Sequence, residues 1–206
     1  RVVERSRGLG DVYKRQHSHM GVYAAPRVST SSDGNESTSP VTADVWAEHS
    51  MWVQDPQYAL ALRGGVTAFH VLPGSANLIG GRGVTVKNLQ RNTINSMKFP
   101  NAPHSLKMAC GENPKRVYGN RKQAPSTRMG NAAGYRKSWI KAESYLRRQT
   151  EYEEKSDEAK ELEYAPERDL EMDTLAGVLK GEILVHNHCY LSLIHISEPT
   201  RPLYSS

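Results

Sequence analysis

Apolar residues along this chain gather in short blocks set apart by polar, glycine-rich and proline-rich stretches. The clearest block is Gly65-Val66-Thr67-Ala68-Phe69-His70-Val71-Leu72, entered after Gly64 and stopped by Pro73-Gly74. Its β-branched and aromatic content predicts a strand. Leu106-Lys107-Met108-Ala109-Cys110, ended by Gly111-Glu112-Asn113-Pro114, predicts a second. A third is predicted over 182–188, where Ile183-Leu184-Val185 leads into His186-Asn187-His188. Elsewhere the apolar period lengthens. Trp139, Ile140, Tyr145 and Leu146 fall near helical spacing and predict a helix over 132–163. Leu170, Leu175, Val178 and Leu179 share one side of a helix over 169–180, with Gly181 as its cap. Asp55-Pro56 starts a shorter helix over 56–62. The stretches 27–42, 74–83 (rich in glycine) and 115–131 (basic) are expected to be loops.

Short apolar strands alternating with helices predict an α/β fold whose parallel sheet is covered on both faces. The 206 residues suffice for one domain. No run approaches the ~18 apolar residues of a membrane helix, so no membrane role is expected. The first 20 residues lack the apolar core of a signal peptide, and the compartment, cytoplasmic or exported, stays open. The net charge is +5, but residues 1–16 alone carry +3 and 191–206 are neutral, which leaves +2 on the interior. That is too little to grip a phosphate backbone, and no aromatic-basic pattern accompanies it. Nucleic acid is therefore not an expected partner, even with the basic segment 115–148. The acidic run over 151–163 reads as a solvated face. Two cysteines, Cys110 and Cys189, make no disulfide framework and are expected as small buried thiols.

The ends differ from the rest. Leu191-Ser192-Leu193-Ile194-His195-Ile196-Ser197-Glu198-Pro199-Thr200-Arg201-Pro202 resembles the translation of a sequencing adapter, and Gly10-Asp11-Val12-Tyr13-Lys14-Arg15-Gln16 resembles its read-through at the other end. The expectation is an artefactual or disordered head over 1–16, a folded segment over 17–190, and an artefactual or disordered tail over 191–206. His195 falls in that tail and is given no role.

The candidate chemistry is a pair of His-x-His motifs, His17-Ser18-His19 and His186-Asn187-His188, with Lys107 on a strand between them. Histidines two apart on a strand point the same way, and imidazoles with carboxylates are the usual ligands of a hydrolytic metal. His17-Ser18-His19-Met20-Gly21-Val22-Tyr23 resembles the first-strand motif of the amidohydrolase superfamily. Gly64-Gly65-Val66-Thr67 resembles its second-strand entry. Leu106 to Pro114 and Val185 to Tyr190 resemble a subgroup related to imidazolonepropionase and prolidase-like enzymes.

The resemblance implies a (β/α)8 TIM barrel of the metal-dependent hydrolase type, here partial and truncated, with its site in the loops after the strands. It implies one or two divalent metals, zinc foremost, held by His17, His19, a carboxylated Lys107 and one of His186 and His188, of which His188 is preferred. Glu112 is the rival to Lys107. His70 and Arg128 are candidate substrate contacts, with barrel packing and a surface role as their alternatives. The implied activity is hydrolysis of a small-molecule amide or cyclic amide C–N bond by a metal-activated water. The alternatives are a metal-dependent deaminase of the same superfamily and a catalytically inactive fragment, because the sixth-strand histidine and eighth-strand aspartate of that superfamily have no counterpart up to residue 190. Open strand edges also raise the expectation of a homo-oligomer.

Overall fold

The computed structural model describes residues 13–189. A five-stranded sheet runs in sequence order: β1 (Tyr13–Ser18), β2 (Val66–Val71), β3 (Ile79–Lys87), β4 (Ser105–Cys110) and β5 (Leu184–Cys189). β1 pairs parallel with β2 and β4 with β5, while β3 is antiparallel to both of its neighbours. The fold is mixed α/β, and the sheet is not purely parallel. β1 reaches back to Tyr13, across the boundary that the sequence set at 17. The rest of the head, and the tail with His195, lie outside the described residues.

Helices α1 (Gln57–Arg63), α2 (Ile94–Met97), α3 (Glu112–Gly119), α4 (Arg128–Glu153), α5 (Asp157–Glu161) and α6 (Leu170–Leu179) connect and cover the strands. α4 starts earlier than its apolar spacing suggests, because the Thr127 side chain accepts the backbone N–H of Gly130 and caps it. α3 occupies part of the basic stretch expected as a loop. Its Pro114 sits in the first turn, where the missing N–H costs nothing.

Two cores lie on the helix-facing side. Leu106 and Met108 of β4 pack with Leu78, Ile79, Ala142, Tyr145, Met172 and Leu175 beneath α4 and α6. Phe69 and Val71 of β2 pack with Val84, Val86, Met97, Val22 and Tyr58. Side chains alternate along a strand, so Ser105, Lys107 and Ala109 of β4 look to the opposite face.

The glycine-rich stretch 74–83 is a correction to the sequence reading, since its second half forms β3. The glycines there serve close approach. Residues 40–46 run alongside β3, with Thr42 N donating to Ile79 O at 2.9 Å and Arg82 N to Val45 O at 2.8 Å. A Cβ on Gly81 would collide with the Val45 backbone, and one on Gly83 with Leu72 and Ser105. The cysteines are a second correction. Cys110 and Cys189 are register partners on β4 and β5, with Cα atoms 5.0 Å apart, and are joined as a disulfide.

The long connection after β1 is tied down by one carboxylate. Asp55, fully buried, accepts the backbone N–H groups of Gly21 and Gln57, each at 3.0 Å, and the Gln57 side-chain amide at 2.9 Å. Gly21 takes φ +80°, a left-handed conformation that suits glycine. The chain thereby turns sharply just after His19.

Candidate active site

The ends of β1 and β2 place His19 first. Its Nδ1 lies 2.8 Å from the backbone oxygen of Leu72. A carbonyl only accepts, so Nδ1 carries the proton and Nε2 of the neutral ring presents a lone pair. The Tyr23 ring meets the His19 ring edge-on at 5.7 Å, and the Tyr23 hydroxyl donates to Asn35 Oδ1 at 2.8 Å.

His17 Nε2 is 3.2 Å from His19 Nε2, and Lys107 Nζ is 3.1 Å from His17 Nε2. Three nitrogens from β1, its following turn and β4 thus converge. Lys107 is only 1% exposed, and burial lowers its pKa to about 8. Burial, then the charge of Lys107, lowers His17 to about 4. Burial also lowers His19, against the pull of the Leu72 carbonyl. Desolvation therefore favours the uncharged, lone-pair form of all three bases. One imidazole nitrogen of His17 cannot donate to His19 and also accept from a Lys107 ammonium. A cation between the three, with Lys107 made anionic, would remove that conflict.

On β5, His186 is the register partner of Lys107 and His188 that of Ala109. His17 and His19 both lie in the electrostatic range of Lys107 and His188. Burial followed by the Lys107 charge lowers both β5 histidines. His70 has both ring nitrogens engaged: Nδ1 with Thr85 Oγ1 at 2.8 Å and Nε2 with Ser105 Oγ at 2.6 Å. Its ring stacks on His186, with centroids 4.8 Å apart and planes 25° from parallel. Glu112 is exposed on the first turn of α3, and Arg128 is exposed where α4 begins. Among the described residues no three His, Cys, Asp or Glu side chains gather closely enough to hold a metal, so Glu112 does not complete a site with the histidines. A polar cavity of about 470 Å³ is lined by Asp33, Asn35, Asp44, Trp46, His49 and Asn77, and by none of the converging bases.

Sequence reasoning did not single out Tyr23, Thr85 or Ser105. Their part depends on neighbours 4 to 35 positions away, for which no spacing signal exists.

Fold and site together define a mixed α/β protein that gathers imidazoles and a desolvated amine at one end of its sheet. No family model matches the chain. It is 35% identical over 189 residues to amidohydrolase tasK of Hapsidospora irregularis, across 84% of this chain and 19% of that protein. It is 39% identical to an amidohydrolase from Thermotoga maritima MSB8 of known crystal structure, with a TM-score of 0.77 over 86% of this chain and 44% of that one. Both relatives are named amidohydrolases, and they support an amidohydrolase family for this chain. The chain spans about a fifth of the length of the first relative and under half of the second.

Proposed function

We propose that this chain carries the metal-binding part of an amidohydrolase site that cleaves a C–N bond in a small amide or cyclic amide, set on a partial (β/α)8 barrel. The observation that carries the reading is the convergence on His17 Nε2 of His19 Nε2 at 3.2 Å and Lys107 Nζ at 3.1 Å. The finer likeness to imidazolonepropionase-related and prolidase-like enzymes rests on the motifs around Lys107 and His188.

His17 and His19, with Lys107 made anionic, are the side chains suited to hold a divalent ion, most readily zinc, and His188 is the β5 histidine proposed to join them. A free ammonium cannot ligate. The depressed pKa of Lys107 leaves a useful share of free amine near neutrality. That amine can add carbon dioxide: its lone pair forms an N–C bond, a proton leaves to solvent, and the product is an anionic carbamate oxygen donor. Leu72 fixes the His19 tautomer, which is the usual task of a backbone carbonyl behind a ligating histidine. When bound, the metal would acidify a water and polarise the scissile carbonyl.

The test is zinc content by elemental analysis of the purified chain, beside a His17→Ala/His19→Ala variant. Near-stoichiometric zinc in the parent, lost in the variant, is expected. Soluble parent without metal, after incubation with zinc and bicarbonate, would sink the proposal.

A further inference from the structure

β5 is a border strand of the described sheet, held by β4 on one side alone. Its two inward histidines lie one strand period apart, ~6.7 Å along the chain, and either could turn toward His17 and His19. Something must settle which one does. Register with β4 seats His186 beside Lys107 and His188 beside Ala109, but does not fix where either ring points.

His70 is built as a clamp. It comes from β2, and hydroxyls on the two following strands, Thr85 of β3 and Ser105 of β4, hold its two nitrogens. A ring fastened at both nitrogens cannot swing about χ2. Ser105 is fully buried and stands two residues before Lys107 on the same face. The His186 ring lies almost flat on this fixed plane. Stacked rings at this separation attract beyond their buried area.

We propose that His70 is a positioning residue: fastened between Thr85 and Ser105, it holds the His186 ring by stacking and so commits β5 to present His188, rather than His186, to His17 and His19. The inference rests on the metal reading of that cluster. The clamp itself is made of protein side chains alone. It also gives Thr85, Ser105 and His70 one shared task, although they sit on three different strands.

The test compares the full chain with His70→Leu, which fills the space without a ring, and His70→Phe, which keeps a ring without hydrogen bonds. Nitrogen-15 spectra of the histidine rings are recorded without metal, and zinc affinity is measured by competition. In the parent we expect a nuclear Overhauser contact between the His70 and His186 rings and a single tautomer at His188. In His70→Leu, His186 and His188 should each show mixed tautomers, and zinc affinity should fall about 10–100-fold, the usual loss for a residue that orients a ligand. His70→Phe should recover most of both. A folded His70→Leu with parental His188 signals and parental zinc affinity would overturn the proposal. So would the absence of the ring contact in the parent, whether or not either variant folds. If the parent takes no zinc yet His188 still depends on His70, the metal reading fails and the positioning role stands.

Discussion

A histidine that donates through Nδ1 has only Nε2 left to offer, and Leu72 holds His19 in that state. Burial keeps the neighbouring imidazoles uncharged, which has a measurable cost in acid. His17 and His70 keep their lone pairs down to about pH 4 in the folded chain, against an ordinary histidine value of 6.5. Between those values the unfolded chain binds more protons. Stability should therefore fall as pH drops from about 6.5 to about 4 and stop falling from this source below that. Lys107 adds the same sign higher up, from its ordinary 10.5 down to about 8. Thermal melts across pH 7 to 4 should show the decline, and His70→Phe should show a shallower one. A variant with the parental slope would count against burial as the cause. At this scale the motifs were legible: two His-x-His pairs and Lys107 stand out in one dimension, and the structure brings His17, His19 and Lys107 together. The fastening of His70 was not, since a serine and a threonine on other strands carry no signature of their own.

Elements with a clean apolar period could be read directly. β2, β4, β5, α1 and α6 all lie within a residue or two of their predicted positions. β3 could not, because its glycines mimic a loop. They are set by a tertiary demand, the passage of Val45, Leu72 and Ser105 against the strand. α6 shows what the covering layer contributes. Leu175 is fully buried between α6 and the β4 face. Leu175→Ala should cost about 2–5 kcal/mol, read from denaturant unfolding, with the wide range reflecting how far α6 can settle into the gap. A loss under about 1 kcal/mol would mean that α6 is only loosely seated on the sheet.

Taken as a whole, the described chain is a sheet with two distinct faces. One is apolar and covered by helices. The other carries His70, Lys107, His186 and His188, with His17 and His19 at its end. The histidines and Lys107 share the second face, while the first still admits Arg82, whose Nε donates to Thr174 of α6 at 2.8 Å. The parallel sheet expected from the alternation of strands and helices holds for four strands, which share one direction, and fails at β3 alone.

The bridge between Cys110 and Cys189 spans 79 positions and encloses α3 to α6 in one covalent ring. Within that ring, Leu162 and Tyr164 stand almost entirely in solvent, and Lys155, Lys160 and Arg168 offer trypsin its cleavage points nearby. Brief proteolysis should therefore nick the chain between α4 and α6 without separating it. The nicked protein should migrate as one band on a denaturing gel without reductant and as two with it. Two bands in both lanes would show that the cysteines are not joined.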